Sequence, residues 1–409
     1  MMVKQLLKMF IGLITVLIFF ELTIRFLSHH SPKIRFFSSS PYQQQYLSNI
    51  FNWKDLLTLY CCQFPGSEIN GFIFNSHGFE TPDVQYQKPS GTKRLVLIGD
   101  SQSVGYVPYH DHFSRLTEKR VNDSQPNFQV INLGVLGFGP LMELKVLEME
   151  GLLYQPDIVM LTFFVGNDFY DDTIYSQRYK ETRHKMPLWT YQSRLFSFLR
   201  NNIRFRIVKY FSSNKDKTSQ QFGVNIGKTD YDESLPTFSK EQYFYLESER
   251  AEIIVKNSKL YDHLDLVTKS ILTMKSLTEQ VNAKFIVLVI PDEFQVNPNL
   301  FSEIINKKPT NTSVINSMIK YIYRPNITER NWSNTDYDIK LPQKILKDFF
   351  IENHINYIDL LEEWDDNPDA AGYYLPQDTH LNRKGNQSVS DIVTPVISDL
   401  LNEQANTKH

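Results

Sequence analysis

From Arg94 onward the chain alternates short apolar runs with longer stretches of three-and-four apolar spacing. The runs are RLVLI at 94–98, QVIN at 129–132, DIVMLTF at 157–163, KFIVLVI at 284–290 and NYID at 356–359, each bounded by turn-forming residues. Largely apolar runs of this length, rich in Val, Ile and Leu, predict five buried strands. Between them, Pro140 to Tyr154 predicts a helix with proline in its first turn. Leu260, Leu264, Val267, Ile271 and Met274 mark the apolar face of another helix running to Val281, and a third pattern begins near Lys384. Strand and helix in alternation predict an α/β domain around a mostly parallel five-stranded sheet. Ligands of such sheets sit beyond the carboxyl ends of the strands, so motifs at those ends carry the most weight.

Two regions break the rhythm. At the start, residues 9–20 are uncharged and the apolar pattern continues past Glu21 and Arg25 to Leu27. At about 1.5 Å per residue, 9–27 is just long enough to cross a hydrocarbon core of roughly 30 Å. Leu27-Ser28-His29-His30 offers no small-residue cleavage site, so the expectation is a retained single-pass anchor with an eight-residue flank before it. Lys4 and Lys8 precede the span while Arg25, Lys33 and Arg35 follow it, so charge does not set its orientation. Residues 28–91 read as a stalk ending in Lys88-Pro89-Ser90-Gly91, 92–402 as the catalytic domain and 403–409 as a tail.

The second break is 171–250, a charged and aromatic insertion into that domain with no clear strand. Its stretch Ser193 to Phe211 mixes Arg and Lys with Phe, Leu and Ile, a pattern that suits an anionic membrane surface. The favoured expectation is the plainer one, a helix packed on the domain with a solvated basic face.

Net charge is -3 with a pI near 6.4, so there is no overall basic field and nucleic acid is not an expected partner. The two cysteines, Cys61 and Cys62, are adjacent and supply neither a disulfide framework nor a zinc site. His110-Asp111-His112 alternates in direction if extended and would not converge on a metal. Sequons at Asn122, Asn311, Asn326 and Asn331 are short patterns expected by chance.

Four blocks carry candidate chemistry. Gly99-Asp100-Ser101-Gln102-Ser103-Val104-Gly105 puts a serine in a tight turn directly after the first run. Asn132-Leu133-Gly134-Val135-Leu136-Gly137-Phe138-Gly139-Pro140 is a glycine-rich loop after the second run, where a main-chain N–H can face a developing oxyanion. Phe163-Phe164-Val165-Gly166-Asn167-Asp168 ends the third run with an asparagine amide, a second candidate donor. Gln377-Asp378-Thr379-His380-Leu381-Asn382 offers a base and a carboxylate before the last helix. Each block alone also reads as an ordinary turn; all four in one order, on one sheet edge, read as a site.

In these blocks the chain resembles the SGNH (GDSL-type) hydrolase family over roughly residues 93–400, the insertion excluded. The resemblance implies a three-layer α/β/α, flavodoxin-like fold. It implies Ser101 as nucleophile, the N–H groups of Gly137 and Ser101 with the Asn167 side chain as oxyanion hole, and His380 as base with Asp378 behind it. The family usually places its aspartate three residues before the histidine, where this chain has Gln377. The Asp378-Thr379-His380 spacing is similar instead to that of membrane-associated polysaccharide O-acetylation proteins, which keeps acyl transfer beside hydrolysis. Neither route requires a metal or organic cofactor. The expected substrate is a small-molecule or polysaccharide ester, with acetylated cell-surface carbohydrate favoured by family habit and by Trp189, Tyr191 and Tyr243 of the insertion. Lipid esters are the rival, and a silent glycan- or partner-binding module is the non-enzymatic alternative. Oligomeric state is left open, and the resemblance implies a catalytic domain outside the cytoplasm.

Overall fold

The computed structural model describes residues 2–30, 68–69, 72–171, 193–196, 198–199, 202–203, 232–307, 332 and 335–406. Cys61, Cys62, Trp189, Tyr191, the sequons at Asn311, Asn326 and Asn331, most of the stretch read as a stalk and most of 171–231 lie outside these residues. The chain divides into two compact units.

One unit comprises residues 1–67, 74–78 and 175–216. Its main described element is the helix Met2–His30, which holds one window, Lys8–Leu27, long and apolar enough to cross a membrane. Nearly all of that window is unburied within the protein. Helical residues also occur at 194–196, 198–199 and 202–203.

The other unit holds two sheets. A short antiparallel pair, β1 (Glu68–Ile69) and β2 (Phe72–Ile73), precedes the main sheet. The main sheet consists of β3 (Lys93–Ile98), β4 (Phe128–Asn132), β5 (Ile158–Phe164), β6 (Lys284–Ile290) and β7 (Asn356–Asp359). These are the five strands expected from the apolar runs. All four pairings are parallel and the order is β4-β3-β5-β6-β7.

The runs are largely apolar because both faces of the sheet are covered. On one face Leu95, Leu97, Val130, Met160, Ile286 and Leu288 join a core with Phe113 and Val121 of helix Phe113–Ser124 and with Val389, Val393 and Ile397 of helix Arg383–Asn406. On the other, helices Pro140–Met149 and Leu264–Gln280 pack together, the first against β3 and the second against β6. The chain order reverses at β3, which has β4 on one side and β5 on the other, the place where sheets of this kind take their ligands beyond the strand ends.

Three expectations shift. The helix from Pro140 stops at Met149; Glu150 takes a non-helical backbone (φ -132°, ψ -54°) and Gly151–Tyr154 form a separate 3₁₀ turn. The later helix begins at Leu264, with Leu260 in a preceding 3₁₀ turn. The region read as an insertion ends in a regular helix, Lys240–Arg250, opened by a reciprocal capping pair between Ser239 and Gln242. Tyr243 on that helix is buried, and its hydroxyl donates to Glu293, so it is not free to stack on a sugar.

Candidate active site

Ser101 opens a one-turn helix, Ser101–Val104, directly after β3. Asp100 caps that turn, its Oδ1 accepting from the Gln102 N–H at 2.9 Å. Its Oδ2 accepts from Asn167 Nδ2 at 2.9 Å and lies 3.4 Å from Ser101 Oγ. Asp100 thus ties the serine turn after β3 to the asparagine after β5. Complete burial raises its carboxyl pKa, against the opposing pull of the Asn167 and Gln102 hydrogen bonds.

His380 reaches the serine from the loop before the last helix, with Nε2 2.8 Å from Ser101 Oγ. Its other ring nitrogen, Nδ1, lies 2.5 Å from Asp378 Oδ1, which also accepts from the His380 backbone N–H at 3.0 Å. A carboxylate only accepts, so Nδ1 carries the proton and Nε2 presents its lone pair to the serine hydroxyl. The Asp378 side chain is 1% exposed and that of His380 12%, which shields the carboxylate from water while leaving the imidazole edge open. Burial pushes the Asp378 carboxyl up, but the charge and hydrogen bonds of His380 outweigh it and hold the pKa below the ordinary carboxylate range.

A tight turn makes the two-residue spacing work. The Leu375 N–H donates to His380 O at 2.9 Å and the Asp378 N–H to Leu375 O at 3.2 Å, closing the loop on itself. Gln377 sits in the left-handed region at φ 50°, a conformation that costs a non-glycine residue on the order of 1 kcal/mol. The loop is braced from outside: the N–H groups of Thr237 and Phe238 donate to Pro376 O and Gln377 O at 3.2 and 3.3 Å. Those two residues fall within the stretch read as an insertion, which therefore supports the histidine loop.

The glycine loop after β4 packs against the serine turn. Asn132 Nδ2 donates to Ser103 O at 2.7 Å, and a Cβ on Gly134 would lie 2.5 Å from Ser103 Cβ, so only glycine allows this approach. Gly137 follows at φ 68° with open space where a Cβ would point. Asn167 has one Nδ2 hydrogen on Asp100 and a second still to offer.

Of the residues expected from sequence, Ser101, His380, Asp378 and Asn167 fall into one hydrogen-bonded chain through Asp100. Gly137 stands in the adjoining loop at the β4 end. His112, by contrast, is buried and bonded to Ser114 Oγ and Gln102 O, while Asp111 pairs with Arg383 at 2.7 Å. Among the described residues, no group of three or more His, Cys, Asp or Glu side chains could hold a metal ion.

Three contributors escaped the sequence reading. Asp100 links two blocks, a role its N-cap position hints at only in part. Gln102 Nε2 donates to Thr379 O at 2.9 Å, fastening the serine turn to the histidine loop. The Tyr106 ring stacks on the His380 imidazole, with centroids 3.7 Å apart and planes 28° from parallel. Nothing local in the sequence signals the last two, because their partners lie more than 270 positions away.

No family model matches the chain, and no curated protein matches it. Among solved structures it is similar to the lipase/acylhydrolase from Enterococcus faecalis, at 13% identity over 75% of this chain and 96% of that one, with a TM-score of 0.34. It is similar to a GDSL-like lipase from Bacteroides thetaiotaomicron VPI-5482 at 12% identity, over 76% and 91% of the two chains, with a TM-score of 0.35. A third is the acetyl xylan esterase AlAXEase, at 14% identity over 74% and 99%, with a TM-score of 0.33. At these TM-scores the likenesses carry no weight for activity. The chain has an α/β fold with an all-parallel five-stranded sheet, and the solved structures it is similar to at low identity include a lipase/acylhydrolase and a GDSL-like lipase.

Proposed function

We propose that the chain is a serine-dependent esterase that cleaves O-acyl esters through an acyl-enzyme on Ser101, removing acetyl groups from cell-surface carbohydrate. The observation that carries this reading is the 2.8 Å contact between Ser101 Oγ and His380 Nε2, backed by Asp378 on Nδ1. As Oγ bonds to the ester carbonyl carbon, its proton passes to Nε2 and the carbonyl oxygen becomes an oxyanion. The second Nδ2 hydrogen of Asn167, with the N–H groups of Gly137 and Ser101, stabilises that charge. Collapse breaks the bond to the alcohol, which leaves with the proton from His380. Water then attacks the acyl-enzyme with His380 as base, releasing the acid and restoring the serine. Asp378 keeps the imidazole in the required tautomer and offsets its positive charge.

The choice of carbohydrate follows the habit of the family the chain resembles. A scan of acetylated polysaccharides and lipid esters tests it, and turnover on lipids alone would reject it. A second reading draws on the two-residue spacing of Asp378 and His380: a sugar hydroxyl takes the place of water, and the acyl group moves between molecules. Formation of acetylated glycan from a donor ester, in step with loss of the donor, would favour that route.

The first test is hydrolysis of p-nitrophenyl acetate by the full-length protein in detergent, with Ser101→Ala alongside. Activity lost in the variant supports the serine mechanism. Equal rates in both proteins, or none in either, would shift weight to a strict transferase or a silent binding module.

A further inference from the structure

The apolar helix Met2–His30 carries an acid inside its membrane-length window, and that acid is fully engaged. Glu21 Oε2 accepts from Ser193 Oγ and from the Leu195 N–H, both at 2.8 Å. Glu21 Oε1 accepts from the Arg194 N–H at 3.0 Å and from Arg25 Nε at 2.8 Å. Ser193 Oγ accepts in turn from the Phe196 N–H at 3.0 Å. Between them, Glu21 and Ser193 satisfy three backbone donors at the start of the helical stretch from Arg194, groups that would otherwise need water. Further along, Asn202 Nδ2 donates to Phe198 O at 2.9 Å, the spacing of one helical turn.

The exposed apolar side chains extend this picture. Leu199 and Ile203, four apart in sequence, are 50% and 58% exposed. Leu22 on the long helix is 61% exposed. Large apolar side chains such as Leu199 and Ile203, half or more open to water, are unfavourable there and suit an apolar environment.

We propose that the helical residues 194–196, 198–199 and 202–203 are part of an interfacial membrane element, seated in the headgroup and acyl boundary of a bilayer and fastened to the N-terminal helix by Glu21. The depth agrees. Glu21 lies six residues before Leu27, so about 9 Å from the end of the apolar window, and in-plane amphipathic helices sit roughly 5–10 Å into that boundary. Arg194 opens the stretch at the level where basic side chains meet lipid headgroups. An ionised carboxylate at that depth is tolerated because Arg25 and three donors from residues 193–195 surround it. The long helix is then a retained, structural part of the protein: removing it as a leader would strip the cap from 194–203. This replaces the solvated, domain-packed helix expected from the charge pattern, and it does not depend on the esterase reading.

The test uses full-length protein in phosphatidylcholine/phosphatidylglycerol vesicles, with Cys61 and Cys62 replaced by serine. Nitroxide labels at Leu199→Cys or Ile203→Cys are probed for collision with oxygen, which concentrates in acyl chains, and with a water-soluble nickel chelate. Both labels should favour oxygen, and adding Glu21→Ala should turn them toward the nickel reagent while thermal unfolding of the sheet domain is unchanged. Labels that face water with Glu21 intact, or that keep their depth without it, would overturn the proposal. Mass spectrometry of protein extracted from its native membrane supplies the second measurement. Retention of residues 1–27 is expected, and a chain beginning after them would also overturn it.

Discussion

Two histidines bonded to or beside the Gln102 backbone and side chain have opposite characters. His112 Nε2 donates to the Gln102 carbonyl at 3.2 Å, and Nδ1 pairs with Ser114 Oγ at 2.7 Å. Burial, with the positive charge of Arg115 adding to it, outweighs the Gln102 bond and brings its pKa down to about 4. His380 lies one residue past Thr379, whose carbonyl accepts from the Gln102 side chain, and it has a buried carboxylate on one nitrogen and a serine on the other. His112 has an aspartate beside it in sequence, but Asp111 turns away to Arg383. An imidazole becomes a base through the group behind it and the access in front of it; adjacency in sequence supplies neither.

The largest expected effects separate the two rings by activity. His380→Ala should lower kcat/KM for an activated ester by about 10³-fold or more, whereas His112→Gln should change it by less than about tenfold. Comparable losses in both variants would erase the distinction. Asp378→Asn should cost roughly 10²–10⁴-fold, because an amide behind Nδ1 no longer selects the tautomer that leaves Nε2 free. Since the Asp378 pKa is held below the ordinary range, activity should not fall with protonation of this carboxylate in mildly acidic buffer. A pH-rate profile of Asp378→Asn beside the wild type checks this.

How far these features were legible in the sequence depended on whether their cause was local. The five strands were readable because burial on both faces leaves unbroken apolar runs, as in Ile158–Phe164, where every residue is buried. Ser101 and Asn167 stood out as candidates from their place after such runs. Asp378 was visible as a candidate, but its pairing depends on a loop in which Gln377 takes a left-handed backbone, and glutamine does not announce that as glycine or asparagine would. Tyr243 was misread because tyrosine suits a sugar platform and a buried hydrogen-bonded core alike; only the position of Glu293 decided between them. Gln102 and Tyr106 acquire their roles by closure of the fold across the sheet edge, which no local pattern encodes.

A second contrast between the histidines concerns stability. A histidine free in the unfolded chain titrates near 6.5, while His112 in the folded protein takes a proton only near pH 4. Below about pH 6.5 the unfolded chain binds a proton that the folded chain refuses, so stability is full above that pH and declines as pH falls to about 4. The loss from this one group is on the order of 3 kcal/mol. His112→Gln should flatten the fall in unfolding free energy between pH 6.5 and 4, whatever it costs at neutral pH. Urea denaturation at several pH values gives the slope, and an unchanged slope would mean that His112 titrates alike in both states.

The smallest effect bears on what faces the His380 imidazole. Tyr106 lies over His380 at a centroid separation of 3.7 Å, so its ring restrains the imidazole plane and, in the proposed mechanism, presents π density to the imidazolium formed when the serine proton is taken. Contacts of this kind are worth about 1 kcal/mol, or roughly fivefold in rate. Tyr106→Leu should therefore lower kcat about fivefold and leave KM nearly unchanged, since the ring acts through His380 and the cation exists only after proton transfer begins. Tyr106→Phe should restore most of the loss, because the face rather than the hydroxyl makes the contact. A change confined to KM would place Tyr106 in substrate binding instead, and a phenylalanine variant as slow as leucine would assign the effect to the hydroxyl.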